Sequence, residues 1–525
     1  MPSITYDRFE AGIDRRKGAS VSDPNRLRNL QNTHVTTGWQ IRGRPGTTRV
    51  ATLVPGTVGL FPFNGLLNTV QGPGAAIDHG NALFAPAIRA DHPLATLTSP
   101  ARISAEELFN GFPYIAVEYD NGDTFHHYID TDPTWALVTS YGLGAYIQPS
   151  ASNGYRYKAT VAGTSGGTEP AWPLGVGQTI ADGTVTWTCE SKYIVDGNCP
   201  HTPSLTRNAS KIWAPGKSGS DVIRFCATDA PRDWTTAGDA GFLPTGLKAS
   251  GDPVPRGVGR YRKKLSVTMR DSTQTWVTDP DPALNAIDDV VDLGTIYPES
   301  FANIAQDLYM LTDVGFRSIS TLADITANLQ DIDIGSPVDD LVLQDIKTAT
   351  NPIGIYYRGG GQYWCHIGAG KVWVYTLSRI SKLAAWSFYQ FPFTIDAMAQ
   401  LANVLYLRAA DVVYKVDPDV GTDDGTQFQI DILFPFLNMK RPGQLKQILG
   451  ADFVFQGEGN VSYLYDANDP SLETTPRLIK GDTRPEGLVP VELTATEIAP
   501  HITYQGTGTF QFDMMTFYYD ILGAL

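Results

Sequence analysis

Short β-hairpin signatures recur along this chain, and their recurrence limits the possible folds more than any single motif does. Each signature is an apolar or aromatic run, a polar turn with Gly or Asp, and a second run. Six of them lie at residues 113–133, 211–234, 264–280, 305–320, 361–378 and 403–418. Four of these begin near Leu265, Leu308, Tyr363 and Leu405. That spacing is close to the roughly 40–50 residues of one four-stranded blade and predicts a β-propeller. With a further run at 59–70, we expect roughly six to eight blades.

Length and composition agree with this class. The chain has 525 residues, which exceeds the ~250–300 at which one hydrophobic core stops growing, so two or more domains are expected. Its 51 Gly, 35 Pro and 11% aromatic residues favour many short strands joined by tight turns. The predicted fold class is therefore mainly β.

The repeat pattern also predicts the domain organisation. We expect an N-terminal arm at 1–50, a propeller formed by 51–143 and 200–420, an inserted β-module at 144–199, and a C-terminal β-sheet platform domain at 421–525. The module interrupts the repeat with its own alternating strands and Gly-rich turns. A short helix is expected at 24–31, directly after the capping residue Asp23.

Charge and cysteine content exclude several classes of protein. The formal net charge of -15 argues against a protein that grips nucleic acid through phosphate contacts, although it suits the wall of a passage along which DNA slides. Four cysteines are too few and too scattered for a disulfide framework. No stretch approaches the ~18–20 apolar residues of a membrane span, so we expect no membrane insertion by this chain.

Two groups of residues have the chemistry of metal ligands. One is the hairpin with His126, His127, Asp120, Asp130 and Asp132, and the other is Cys189, Cys199 and His201. Adjacent residues on a strand point to opposite faces, so both histidines of the first group cannot reach one ion. The second group lacks a second Cys-x-x-Cys pair. The sequence therefore predicts no metal site, no cofactor and no catalytic constellation, and hence not an enzyme.

Aromatic residues in the module are the candidates for stacking against sugar rings. They are Tyr155, Tyr157, Trp172 and Trp187. The alternative is that Trp187, in the alternating run TVTW, packs under its own small sheet. Both interpretations are open at the level of sequence.

The N-terminal stretch contains the most distinctive sequence motifs of the chain: DPNRLRNLQN at 23–32, VTTGW at 35–39 and RGRPG at 42–46. It resembles the opening of the tail nozzle proteins of short-tailed phages (podophages), also called packaged-DNA stabilisation proteins. Further similar stretches follow in the family's order, at 307–320, 439–446, 480–485 and 489–493 and in the terminal TFYYDILG. The module at 163–187 is similar to a small module found in many phage tail proteins. The shared order carries the resemblance.

The resemblance implies a structural virion protein. The family implies a homohexameric ring that extends the DNA channel below the portal and the head-to-tail adaptor ring, retains packaged DNA and lets it leave at infection. The propeller would lie outside and the C-terminal sheet towards the adaptor, with genomic DNA crossing the lumen without specific binding. The implied partners are further copies of the chain, the adaptor ring, tail fibres or spikes, and a needle or plug protein. The expected location is the virion tail, after synthesis in the host cytoplasm.

Polar residues of the N-terminal stretch are the expected contacts with a neighbouring subunit or the adaptor: Arg26, Arg28, Asn29, Asn32, Arg42 and Arg44. The alternative is that they are satisfied within their own subunit. Two other functions stay open. One is a glycan-binding or glycan-cleaving phage tail protein, and the other is a soluble propeller enzyme unrelated to phage, which should be a monomer with a metal-bearing central channel.

Overall fold

The computed structural model describes residues 2–94, 98–217, 219–322, 333–483 and 488–523. Within these ranges the chain is almost entirely strands and turns. The helices of the described residues are α1 (Ile319–Leu322) and α2 (Asp339–Ile346), with single 3-10 turns at Pro282–Leu284 and Pro298–Ser300. The mainly β class expected from the sequence is thus confirmed. None of the helices in the described ranges has the length and apolar character needed to cross a membrane.

Among the described residues, thirty-seven strands make up the propeller, its inserted module and the segments that precede them. The first five are β1 (Ser3–Tyr6), β2 (Asn29–Gln31), β3 (Thr33–Val35), β4 (Ile41–Gly43) and β5 (Gly46–Thr52). Blade 1 contains β6 (Thr57–Phe63), β7 (Leu66–Gln71) and β8 (Ile88–Arg89), and blade 2 contains β9 (Pro100–Phe109), β10 (Phe112–Tyr119) and β11 (Thr124–Tyr128). The module contains β12 (Ser140–Tyr141), β13 (Tyr146–Ile147), β14 (Arg156–Val161), β15 (Gly163–Thr164), β16 (Thr179–Asp182) and β17 (Val185–Glu190).

The later blades follow in chain order. Blade 3 contains β18 (Thr206–Asn208), β19 (Lys211–Pro215), β20 (Val222–Phe225) and β21 (Gly241–Pro244), and blade 4 contains β22 (Gly257–Tyr261), β23 (Lys264–Thr268), β24 (Thr273–Val277) and β25 (Ala286–Val291). Blade 5 contains β26 (Ala302–Ile304), β27 (Asp307–Thr312) and β28 (Gly315–Ser318), and blade 6 contains β29 (Ile353–Tyr357), β30 (Gln362–Gly368), β31 (Lys371–Ser378) and β32 (Leu383–Gln390). Blade 7 contains β33 (Ala397–Leu401), β34 (Val404–Ala409) and β35 (Val412–Asp417), followed by β36 (Thr422–Asp423) and β37 (Thr426–Gln427).

The blades close into a ring. The innermost strands β33, β6, β9, β18, β22, β26 and β29 each pack beside the next, and β29 packs beside β33. Blade 7 is completed by β5, which pairs antiparallel with β35. The described residues therefore form a seven-bladed β-propeller, which lies within the range expected from the sequence.

The predicted hairpins have a common place in the blades. Those at 113–133, 211–234, 264–280, 305–320, 361–378 and 403–418 are the second and third strands of blades 2 to 7. The run at 59–70 covers the first two strands of blade 1. The second strands are buried along most of their length because they are covered by neighbouring blades on both faces, which explains their apolar sequence.

A β-sandwich follows the propeller, and we call it the platform. Its C-terminal strands are β38 (Gln429–Leu433), β39 (Lys446–Gln456), β40 (Glu458–Leu464), β41 (Arg477–Lys480), β42 (Val489–Ala495), β43 (Ala499–Gln505) and β44 (Gln511–Ile521). One sheet has the order β3-β4-β44-β39-β42, with β1 paired to β44. The other has the order β2-β38-β43-β40-β41, and β2 also pairs in parallel with β32, so that blade 6 and the platform share one nine-stranded sheet.

The N-terminal segment differs from the expected arm. Its strands β1 to β4 belong to the two platform sheets, and Phe9 is fully buried between them, in edge contact with Phe434 and near Phe512. The helix predicted at 24–31 is wrong. Arg28 donates its backbone N–H to Leu433, and Asn29 to Gln31 pair with β38, because this pairing satisfies the backbone better than a short isolated helix would.

The module begins earlier than the predicted boundary at 144. Trp135 and Tyr141 already contribute to its aromatic core. The chain returns to blade 2 at Tyr193, which lies beside β11 and forms a β-bridge with His127 of that strand. The module is therefore inserted at the outer edge of blade 2.

Candidate functional site

A buried ion pair holds the platform against the propeller. Both terminal nitrogens of Arg44 donate to the carboxylate of Asp423, with Nη1 to Oδ1 at 2.9 Å, and Arg44 Nε donates to Asn32 Oδ1 at 2.9 Å. Asn32 in turn donates to the carbonyl oxygen of Gln429 at 2.7 Å and accepts from the backbone N–H of Gln390 at 2.7 Å. Arg44 is only 3% exposed. The cluster therefore joins the N-terminal segment, the end of blade 6 and the start of the platform.

Aromatic rings and a glycine complete this junction. The guanidinium carbon of Arg44 lies 4.3 Å from the ring centre of Phe391 and 3.8 Å from that of Phe428, which is cation–π geometry. Two residues later, a Cβ on Gly46 would come within 2.2 Å of the carbonyl oxygen of Thr422. The Arg-Pro-Gly sequence thus has a structural reason, because arginine is buried and paired and only glycine fits beside the next strand.

Arg26 and Arg28, which the sequence predicted as contacts with another chain, are paired within their own subunit. Arg26 Nη1 donates to the buried Asp14 at 2.8 Å, and Asp14 also accepts from Arg16 Nη2 at 2.7 Å. Burial alone would raise the pKa of Asp14, but the hydrogen bonds from Arg16 and the charge of Arg26 outweigh it and hold that pKa below its usual value. Arg28 donates to the carbonyl oxygen of Lys17 at 2.8 Å.

A second polar network crosses the platform sheet from Asn29. Its side chain donates to Asp431 Oδ1 at 2.6 Å, and Asp431 Oδ2 lies 3.4 Å from His501 Nε2. The other ring nitrogen of His501 lies 2.7 Å from Glu473 Oε1. Hydrogen bonds to Asp431 and Glu473 raise the pKa of His501 to about 9, so the imidazole is a cation at neutral pH.

Five of the six residues predicted as external contacts thus have partners inside the subunit. Asn29, Asn32 and Arg44 have partners inside the subunit, and Arg44 is too deeply buried to reach another chain. Arg26 and Arg28 are half-buried with internal partners, whereas Arg42 is exposed. Asp423 lies 379 positions from its partner Arg44, and Asp431 lies 402 positions from its partner Asn29. A contact with a neighbouring subunit or adaptor therefore stays a prediction for the half-buried and exposed arginines.

The propeller axis contains a cavity of about 590 Å³, lined by the innermost strands of all the blades. Arg102 on β9 pairs with Glu118 at 2.8 Å and also with Glu299, which immediately precedes blade 5. Because blades 2 and 5 lie on opposite sides of the ring, the pair of Arg102 with Glu299 crosses the channel. A volume of this size suits a small molecule rather than a duplex.

The channel wall also contains a pair of consecutive carboxylates, Glu106 and Glu107. Glu106 is in contact with solvent but lies deep in the channel, where the surrounding protein and the charge of Glu107 raise its pKa to about 8. Glu107 accepts from Thr206 and pairs with Arg260 at 3.3 Å. Among the described residues that line the cavity, Phe301 is the one aromatic residue besides His366. The arrangement lacks the flat aromatic surfaces that sugar stacking would need.

The module places its candidate stacking residues in a core. Tyr155, Tyr157 and Trp187 are at most 1% exposed, and the half-buried Trp172 packs against Tyr157 with ring centres 4.3 Å apart. The indole N–H of Trp187 donates to Asp182 at 3.0 Å. The glycan-stacking interpretation is therefore wrong for the three buried rings, because a buried face cannot receive a sugar. The alternative, that Trp187 packs under its own sheet, is confirmed.

The two groups of residues with metal-ligand chemistry are not assembled as they were grouped from the sequence. His126 and His127 face opposite sides of β11 as expected, with His127 Nε2 2.9 Å from the hydroxyl of Tyr119. Asp130 and Asp132 are paired with the cations Arg232, Arg156 and Lys192. Cys189 lies in the module core, separated from Cys199 in the core of blades 2 and 3. The sequence could not reveal that His126 instead lies beside Cys199 and His201.

Comparisons with known proteins concern the fold alone. No family model and no curated protein matches the chain. Among solved structures, BamB from Moraxella catarrhalis is 11% identical, with a TM-score of 0.33 over 71% of this chain and 99% of that one. The computationally designed Ika8 protein is 8% identical, with a TM-score of 0.35 over 71% and 100% of the respective chains. The C-terminal WD40 domain of Sif2 is 10% identical, with a TM-score of 0.31 over 78% and 99%. The propeller assignment rests on the strand pairing and not on these similarities.

Proposed function

We propose that this chain is a non-enzymatic virion protein, one subunit of a homohexameric tail nozzle ring. The ring would extend the DNA channel below the portal and adaptor, retain packaged DNA and let it leave at infection. The observation that most supports this proposal is the convergence of the residues that carry the family resemblance. Stretches from opposite ends of the sequence meet in the platform, where β4 and β39 flank β44.

The local chemistry of these stretches gives the convergence a physical reason. Asn32, Arg44 and Gly46 are each required by the junction of platform and propeller, and the terminal TFYYDILG includes the end of β44, beside β1 and β39. Two chains that form the same junction of platform and propeller would both need these residues, so they would resemble each other at these positions. This supports common architecture better than a resemblance confined to one surface loop would.

The shape and charge of the subunit fit a passive conduit. A nine-stranded sheet links blade 6 to the platform, so force applied to one is transmitted to the other through backbone hydrogen bonds. The ion pair of Arg102 and Glu299 crosses the propeller axis, so DNA would not pass through the propeller itself. It would pass through the lumen that the six subunits enclose. The net charge of -15 would keep the duplex from adhering to the wall.

The proposal is tested by the mass of the purified chain, measured by light scattering alone and after mixing with the adaptor ring. A hexamer, or a monomer that becomes sixfold on the adaptor, is the expected result, and electron microscopy of the product should show a central lumen wide enough for duplex DNA. A chain that stays monomeric and does not bind the adaptor ring would contradict the proposal.

The exposed Arg42 provides a sharper test of the adaptor contact. We expect Arg42→Glu to weaken binding to the adaptor ring about tenfold or more, because a rim charge is reversed. Arg270→Glu, at an exposed turn of blade 4, is the matched control and should bind as the wild type does. Equal binding by the wild type and both variants would exclude Arg42 from the adaptor contact. The mass measurement would still test whether the chain forms a ring.

A further inference from the structure

Three side chains of metal-binding type meet between blade 2 and the segment that leads into blade 3. His126 lies on β11, and Cys199 and His201 lie where the chain leaves the module. Their ligand atoms all lie within 4.8 Å of one another. His126 and Cys199 are fully buried, whereas His201 is partly exposed.

The two sulfur-to-nitrogen distances match those of a tetrahedral coordination shell. Cys199 Sγ lies 3.5 Å from His126 Nδ1 and 3.7 Å from His201 Nδ1. With zinc–sulfur and zinc–nitrogen bonds of about 2.3 and 2.05 Å, a tetrahedral angle separates sulfur from nitrogen by about 3.6 Å. The hydroxyl of Tyr114 lies 3.1 Å from His126 Nδ1 and 3.9 Å from Cys199 Sγ, which is where a fourth ligand would be.

Hydrogen bonds around the cluster orient these ligand atoms. His126 Nε2 lies 2.7 Å from the carbonyl oxygen of Thr202, which can only accept, so the proton is on Nε2 and Nδ1 presents its lone pair to Cys199. The backbone N–H of His201 donates to the sulfur of Cys199. Histidine ligands commonly donate their second ring nitrogen to a carbonyl oxygen in this way, which fixes the ring.

Metal binding would change the state of the cysteine. A divalent ion binds the thiolate, so the proton of the Cys199 thiol would be released to solvent as the sulfur coordinates.

We propose that His126, Cys199 and His201 bind one Zn²⁺ ion, with the phenol oxygen of Tyr114 at the fourth position. Thiolate and imidazole together select zinc over magnesium or calcium. The competing state is the hydrogen-bonded cluster, in which His201 Nδ1 accepts the backbone N–H of His126 at 3.0 Å. The ion would fasten the chain where it returns from the module, and it would thereby hold blade 2 to the start of blade 3.

The test is the metal content of the full chain, produced with zinc in the medium and measured by elemental analysis after dialysis. We expect about one zinc ion per chain, retained by Cys226→Ser and reduced at least tenfold in Cys199→Ser. Cys226 is the matched control, because it is another buried free thiol of the same core. Zinc in equal amounts in both variants, or none in the wild type, would overturn the proposal.

A spectroscopic measurement keeps the test independent of folding defects. Co²⁺ added to the metal-free wild type should produce a sulfur-to-cobalt charge-transfer band and intense visible bands of a tetrahedral ion. The partly exposed His201→Gln, with a wild-type circular dichroism spectrum, should bind Co²⁺ about 10–100-fold more weakly. A folded wild type that shows no thiolate band on adding Co²⁺ would overturn the proposal.

Discussion

Arg44 shows how a residue can be selected correctly from sequence and still have a different role. The Arg-Pro-Gly motif singles it out, and the structure assigns it to a buried pair with Asp423 rather than to an external surface. A buried charge that loses its partner is strongly destabilising, whereas an exposed charge contributes little.

Replacing Arg44 should therefore destabilise the subunit. We expect Arg44→Met to lower the free energy of unfolding by about 3–5 kcal/mol, because Asp423 is left buried and unpaired. Arg42→Met, two residues earlier and exposed, should change it by less than about 0.5 kcal/mol. Urea titration of both variants measures the difference, and equal small effects would show that the pair contributes little.

His501 makes the stability of the platform depend on pH. The unfolded imidazole has a pKa near 6.5, and the folded one has a pKa of about 9. The stabilisation is therefore fully present below about pH 6.5 and is lost as pH rises through about 9. In urea titrations, the free energy of unfolding of the wild type should fall between pH 6.5 and 9.5 by about 1–3 kcal/mol more than that of His501→Gln. Parallel curves for the two proteins would contradict this.

At the scale of elements, β5 closes the propeller ring by joining the first and last parts of the repeat. Leu53 donates its backbone N–H to Asp411, so the adjacent Thr52 and Val412 form a non-hydrogen-bonded pair, whose side chains lie close together. That geometry suits a disulfide.

Cross-linking this closure should stabilise the propeller. We expect Thr52→Cys/Val412→Cys to form a disulfide and to raise the free energy of unfolding by about 2–4 kcal/mol, because it constrains a long loop in the unfolded chain. The reduced double variant is the control and should unfold close to the wild type. A disulfide that forms without stabilising would show that opening at β5 does not limit unfolding.

At the scale of the whole molecule, the module has a core of its own and a polar contact with blade 1, where the Tyr155 hydroxyl donates to Asp91 at 2.5 Å. That core is aromatic, and the two ends of the module return to neighbouring positions on blade 2, where Lys192 pairs with Asp132 at 3.0 Å. The propeller and the platform, in contrast, share a sheet and a common core.

Removal of the module should thus leave the body intact. We expect a variant in which a short Gly-Ser linker replaces 134–190 to fold with the same oligomeric state, because the linker spans two adjacent positions and Asp91, which loses Tyr155, keeps its ion pair with Arg89. Circular dichroism and light scattering measure this. Aggregation of the deleted protein, or failure to form the wild-type assembly, would show that the module supports blade 2 or the ring.

Local sequence patterns were sufficient to predict the mainly β class, the hairpins of the blades and the presence of a module. These depend on alternation and turn residues within a few positions, and the second strands are apolar because both their faces are covered. The same patterns misassigned 24–31 as a helix, because its pairing partner Leu433 lies far along the chain.

The tertiary structure alone decided the closure by β5, the contribution of the N-terminal strands to the platform, and the meeting of His126 with Cys199 and His201. It also decided that Asn32 and Arg44, both selected from sequence, bond within the subunit. Each of these contacts joins residues that are separated by tens to hundreds of positions. Their identity depends on which surfaces the whole chain brings together, and no local alternation of residues records that.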